Sequence, residues 1–205
     1  MDNIINNFQS VNEKQVNLIN VWKEDVTISL GKPSDNIGRY AFISLEKAKE
    51  AIKNNDIDVM VTAPINKTTV ASMQKDFIGH TEYLEQNFEG TSLMMMISNN
   101  MKIAFATSHV ALSEVSRILT KEKIQENLKN INSTLMQDFG VRKPKIAVIG
   151  LNPHAGENGM LGKEENKVII PAIHQAKKED DILAFGPYPA DSFFTPKNLK
   201  KFDVA

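Results

Sequence analysis

A chain of 205 residues is long enough to bury a real core, as one sizeable α/β domain or as two small lobes. Its 24 Lys and Arg against 25 Asp and Glu leave a formal net charge of -1, which gives no general attraction to polyanions, so nucleic acid is not a favoured partner. With no cysteine there can be no disulfide, iron–sulfur cluster or thiolate zinc site, and any transition metal must be held by histidine and carboxylate; a cytoplasmic location fits this composition. The segment Met1–Asn7 lacks the basic start and long apolar run of a secretory leader, and no later stretch is apolar for the length of a membrane helix, so no membrane partner is expected.

In chain order, the residues before Gly31 read as weak strands and loops. Ala41, Leu45, Ala48 and Ile52 recur at helical spacing and predict an amphipathic helix from Tyr40 to Asn54. Ile57–Thr62 reads as a short strand that Ala63-Pro64 ends, because proline has no donor for a central ladder. Leu93–Ser98 and Lys102–Thr107 read as two strands joined by a tight connection at Asn99-Asn100. Ile124, Leu128, Ile131, Leu135 and Phe139 share one helical face, with Gly140 as a left-handed stop. Lys145–Leu151 is an almost unbroken apolar strand of the kind buried in a parallel sheet. Glu164–Lys178 reads as helical, with Pro171 either kinking it or opening a second piece. Ile182–Phe185 returns as a strand that runs into Gly186–Asp191. Helices alternate with strands from residue 40 onward, so the class is α/β, with no internal repeat and no clear domain boundary.

In open α/β sheets, ligands gather where strands end. The loops after Thr62, Thr107, Leu151 and Phe185 are therefore where chemistry is sought. His109 and His154 lie in two of them and are candidate imidazole ligands to a divalent ion; the alternative is that each only caps its loop by hydrogen bonding. Gly79-His80-Thr81-Glu82 leads into a predicted helix whose first N–H groups could hold a phosphate, with Thr81 offering a hydroxyl and His80 a donor, unless Thr81 is simply the N-cap. Asp191 and Lys67 also stand in strand-end loops and could transfer a proton or orient a substrate, or serve only the turns they occupy. His174, among lysines on a helix, is expected at the surface. There is no G-x-G-x-x-G after a strand, no Walker lysine motif and no G-x-S-x-G elbow, so an ordinary Rossmann site, a P-loop and the common serine hydrolase are unsupported.

Four motifs, in order, resemble one family. They are Val61-Thr62-Ala63-Pro64-Ile65-Asn66-Lys67, Gly79-His80-Thr81-Glu82, Leu151-Asn152-Pro153-His154-Ala155-Gly156-Glu157 and Gly186-Pro187-Tyr188-Pro189-Ala190-Asp191, and together they are similar to the 4-hydroxythreonine-4-phosphate dehydrogenases. Ala106-Thr107-Ser108-His109-Val110-Ala111-Leu112 is also similar to that family's first metal-ligand loop. The resemblance implies a two-lobed isocitrate/isopropylmalate-dehydrogenase-like α/β fold, which accounts for a nicotinamide enzyme without the Rossmann glycines. It implies a homodimer with sites at the subunit interface, a divalent metal (zinc, magnesium or cobalt), and NAD or NADP. By similarity, His109 and His154 would be two of three histidine ligands, and His80 and Thr81 would contact a phosphorylated small-molecule substrate.

The implied reaction is oxidation of 4-phosphooxy-threonine at C3, followed by decarboxylation to 3-amino-2-oxopropyl phosphate, in vitamin B6 biosynthesis. One ion would assist both steps, easing loss of the hydroxyl proton and then polarising the ketone. The sequence departs from the family's pattern at both ends. A glycine-rich strand and turn expected ahead of this region, and a His-Asp-Gln-Gly segment with the third histidine beyond it, are both missing, so the chain is expected to be truncated. A polypeptide of this extent is expected to bind metal weakly and turn over little. Three alternatives remain: a related 4-phospho-threonate or erythronate dehydrogenase, an inactive fragment acting as a dimerisation or binding module, and a metal-dependent phosphatase.

Overall fold

The computed structural model describes residues 3–75 and 77–205; Met1 and Asp2, which begin the segment read above as lacking a leader, lie outside them, as does Asp76. The chain forms two compact units, Met1–Gly90 and Thr91–Ala205. No helix among the described residues is long and apolar enough to cross a membrane.

In the first unit, strands β1 (Asn3–Ile5) and β2 (Asn17–Ile19) pair in parallel. The Asn17 amide oxygen ties them together by accepting from Asn3 Nδ2 and from the Asn12 backbone, each at 2.9 Å. Helix α1 (Asp35–Lys53) starts earlier than its apolar periodicity predicts, with Asp35 in its first turn and Lys53 in its last, as the helix dipole favours. It tolerates Gly38 because the Thr69 carbonyl oxygen lies only 2.3 Å from where a β-carbon would stand, so a bare backbone lets α2 (Lys67–Ala71) pack close. The Asn66 side chain caps α2 by accepting from Thr69 N at 3.1 Å. Leu45, Val70, Phe77 and Tyr83 form a small core against α3 (His80–Asn87). Lys49, mostly buried and paired within α1 to Glu46 (2.7 Å), fastens α1 to α3 by donating to the Tyr83 hydroxyl (2.8 Å) and to Asn87 Oδ1 (3.4 Å).

Ile57–Thr62, expected to be a strand, is not one. The segment has no ladder partner among the described residues, and Val59 and Val61 are 74% and 94% exposed. Alternating apolar residues satisfy a strand's pattern locally, but a strand also needs a neighbour for its backbone groups.

The second unit holds the larger core. Strands β3 (Met95–Ser98) and β4 (Met101–Ala104) form an antiparallel hairpin around Asn99-Asn100, as predicted, though both are shorter than the apolar runs that announce them. Helix α4 (Leu112–Ile118) precedes α5 (Lys121–Gln137), whose apolar face, Ile124, Leu128, Ile131 and Leu135, is buried. Phe139 falls beyond the helix end and is covered instead by the Lys102 ammonium, 5.2 Å from its ring centre; Gly140 takes the expected positive φ, +66°.

Strand β5 (Lys145–Ile149) pairs in parallel with β6 (Leu183–Tyr188), which extends beyond the predicted run. Between them, a π-helical turn over Glu165–Ile169 feeds α6 (Ile170–Asp180), and Pro171 sits in the first turn of α6, directly after the π-helical turn. Two single turns, α7 (Ala190–Phe193) and α8 (Pro196–Leu199), lead the chain back to the sheet. There Val204 bridges Ile146 in parallel, while Ala205 bonds to both neighbours of Ile103, donating to Lys102 O and accepting from Ala104 N. Bonding to the residues on either side of one position is the parallel pattern, so β4, the segment at Val204-Ala205 and β5 all run the same way.

Candidate functional site

Because β4 and β5 point in one direction, their carboxyl ends open at the same rim. The chain leaving each of them lines a single apolar groove of about 340 Å³, which includes Phe105, Thr107, Val148, Leu151 and Phe194. His109 lies a few residues past β4, exposed and in the left-handed conformation at φ +54°. His154 lies a few residues past β5.

The backbone around His154 is unusual. His154, Ala155, Gly156, Glu157 and Asn158 all have φ between 42° and 76°, a left-handed turn made of five successive residues. For a residue with a side chain this conformation costs roughly 1–2 kcal/mol, and it persists only where the surroundings enforce it. Asn152 and Glu165 supply that enforcement. Asn152 donates its backbone N–H to Glu165 Oε1 (2.7 Å), while its side-chain amide donates to Glu165 Oε2 and to Glu164 Oε2 (each 2.9 Å). The Asn152 carbonyl then accepts from Ala155 N at 3.1 Å. Glu165 is buried, 2% exposed, directly beneath the turn, and a β-carbon on Gly156 would come within 2.5 Å of its Oε2. The Asn152 amide is the leading reason that the Glu164 carboxyl sits below its ordinary pKa, with backbone N–H groups of Glu164 and Lys163 adding to it.

The turn delivers His154 to Asp191. Asp191, in the first turn of α7, places Oδ2 2.6 Å from His154 Nδ1, with both side chains about half exposed or more. An imidazole whose Nδ1 faces a carboxylate has Nε2 available to a metal, the usual arrangement of a metal-binding histidine. The donor set therefore fits a divalent ion as far as it goes. His154 and His109 are imidazole side chains on loops leaving the same rim, although among the described residues no three His, Asp or Glu side chains converge as a complete cage.

The remaining candidates lie in the first unit. His80 opens α3, half-buried, its ring edge-on to Phe77 at 6.2 Å. Thr81 is not the N-cap, which is Gly79; it is exposed in the first turn, where backbone N–H groups lack intrahelical acceptors. Lys67 opens α2, and its ammonium lies beside Gly79, 3.4 Å from the position of a β-carbon there, with Glu82 Oε2 at 2.9 Å from the same point. A cavity of about 290 Å³, lined by Leu45, Met60, Thr62, Pro64 and His80, adjoins this helix start. His174 is exposed on α6, as expected.

Thus His154 and Asp191 form one pair and Lys67 and the start of α3 another, each within its own unit. Sequence reasoning passed over Glu164 and Glu165. The only signal was a tandem of acidic residues just ahead of a helix, which reads equally well as ordinary N-terminal charge.

The family described as pyridoxal phosphate biosynthetic protein PdxA matches residues 2–205. A 4-hydroxythreonine-4-phosphate dehydrogenase of Bacteroides thetaiotaomicron is 40% identical over 202 residues, which are 98% of this chain and 55% of that protein. One of Burkholderia vietnamiensis is 42% identical over 170 residues, 81% of this chain and 52% of its own. The solved 4-hydroxythreonine-4-phosphate dehydrogenase from Klebsiella pneumoniae matches with a TM-score of 0.83 at 26% identity, covering 99% of this chain and 63% of that one. That from Burkholderia phymatum gives 0.81 at 29%, covering 99% and 62%. The chain spans about half the length of the curated relatives it matches. The fold shared with these structures is the isocitrate/isopropylmalate-dehydrogenase-like α/β fold. With nearly every residue matched, and with the strand-end histidines in the loops described above, the chain belongs to the PdxA family of pyridoxal phosphate biosynthetic proteins.

Proposed function

We propose that this chain carries the metal-holding and phosphate-holding loops of an NAD- or NADP-dependent dehydrogenase of the cytoplasm. The reaction is oxidation of 4-phosphooxy-threonine at C3 and decarboxylation to 3-amino-2-oxopropyl phosphate. The observation that carries the reading is the His154–Asp191 pair at the strand-end rim, in a family whose relatives bear the dehydrogenase name.

His109 and His154 would hold a divalent ion through their imidazoles, together with a third ligand that the resemblance assigns to a His-Asp-Gln-Gly segment not contained in this sequence. Zinc, magnesium or cobalt would supply positive charge that polarises first the substrate hydroxyl and then the ketone. The start of α3 holds the substrate phosphate through its first-turn N–H groups, His80 and the Thr81 hydroxyl, with the Lys67 ammonium completing the charge balance. The family resemblance further implies a homodimer.

The test is NADH or NADPH formation from 4-phosphooxy-threonine, with added zinc or magnesium, by the protein purified from its own host. His154→Ala and His109→Ala are expected to lower kcat/KM by at least about 100-fold, since the ion's electrostatic contribution amounts to several kcal/mol. His80→Ala and Thr81→Ala should act mainly on KM. Turnover that survives loss of both loop histidines would sink the metal assignment, and sedimentation at the mass of one chain would sink the dimer.

A further inference from the structure

We infer that Asp191 is the positioning residue for His154: its carboxylate holds the imidazole in the tautomer that carries the proton on Nδ1 and thereby presents the Nε2 lone pair to the ion. This rests on the metal-site reading above. An ionised carboxylate can only accept, so with Asp191 Oδ2 lying 2.6 Å from His154 Nδ1 a proton on Nδ1 is favoured over a lone pair facing the carboxylate. A histidine side chain free in water prefers the other tautomer, with its proton on Nε2, where it would block a ligand bond. The two ring nitrogens face opposite sides of the imidazole, so the oxygen engaged at Nδ1 does not also reach an ion at Nε2.

The pairing is set by the sheet and not by a chance meeting of two flexible side chains. The loops that carry His154 and Asp191 leave adjacent parallel strands, β5 and β6, and the Gly150 N–H donates to the Tyr188 carbonyl at 2.8 Å just before the two loops diverge. On one side the left-handed turn clamped by Asn152 and Glu165 fixes the His154 backbone; on the other, Asp191 sits in the first turn of α7. Both side chains are substantially exposed, so the contact adds little to folding and its removal should leave the fold intact.

The experiment is long-range proton–nitrogen NMR of the His154 ring in the metal-free chain, in buffer alkaline enough to keep the imidazole neutral. Wild type is expected to show the Nδ1–H tautomer, Asp191→Ala to revert to the Nε2–H form, and Asp191→Asn to retain Nδ1–H because an amide oxygen still accepts. Zinc added to the same samples should shift Nε2 of His154 in wild type, with apparent affinity about 10–100-fold weaker in Asp191→Ala and largely restored in Asp191→Asn. An Asp191→Ala chain that keeps the Nδ1–H tautomer, or a wild type that lacks it, overturns the inference while leaving the metal reading in place. Zinc that leaves the His154 ring signals of wild type unmoved overturns the metal reading, and with it the purpose assigned to Asp191.

Discussion

Asn152 makes three hydrogen bonds to two carboxylates, and one of those carboxylates is almost fully enclosed. Asn152→Ala keeps the backbone bond to Glu165 and removes the two made by the amide, leaving a buried oxygen short of a donor. The expected loss is about 1–3 kcal/mol, read from the urea midpoint followed by circular dichroism. The penalty should depend on pH. The Glu164 carboxyl is held below its ordinary value of 4.5, chiefly by the Asn152 amide, so its contribution to stability is fully present above that value and is lost as pH falls through the lower folded-state value. The gap between wild type and Asn152→Ala is therefore widest near neutrality and narrows in acid; a gap that widens on acidification would contradict this account. Both members of the His154–Asp191 pair were legible in the sequence as strand-end residues, but their partnership was not. It arises from the adjacency of two strands that lie far apart in the chain, and spacing along a sequence does not encode which strands become neighbours.

Helix α5 illustrates what local rules do specify. Thr120 accepts from Lys123 N at 3.2 Å as N-cap, four apolar residues at helical spacing face the core, and Gly140 follows the helix end with positive φ. Each of these depends on residues within a turn or two of one another. Thr120→Ala is accordingly expected to cost about 1 kcal/mol, with a lower melting temperature and an unchanged spectrum at room temperature. The β3–β4 hairpin, strand β5 and the placement of Pro171 were readable for the same reason. Other features, among them the early start of α1 and the hand of the turn at His154, were not. Gly38 would ordinarily argue against a helix start, yet α1 runs through it because the backbone of α2 needs that space. The left-handed turn at His154 has only Pro153 and Gly156 to announce it, and these signal a turn of some kind; its hand over five residues depends on Asn152 and a glutamate on the following helix.

At the scale of the whole molecule, the two units differ in how much they bury. The second packs α5 and α6 against the strands, with Leu135, Ala172 and Ala176 wholly enclosed, whereas the first relies on a small cluster around Leu45, Val70, Phe77 and Tyr83. Opening free energies should follow that difference. Amide hydrogen exchange is expected to be fastest over residues 57–65, which have no ladder, intermediate in α1, and slowest in α5 and β5; comparable protection at 57–65 and in β5 would refute this ordering. The sheet of the second unit carries a further consequence, for the order in which the protein can be built. Val204 and Ala205 lie between β4 and β5, so the hairpin and the parallel pair can each form from what has already been synthesised, but the backbone bonds that join them wait for residues made roughly a hundred positions after β4. Until then the inner edges of β4 and β5 are open to any other extended chain, and a nascent protein held at that stage would need a chaperone to keep those edges from pairing with a stranger.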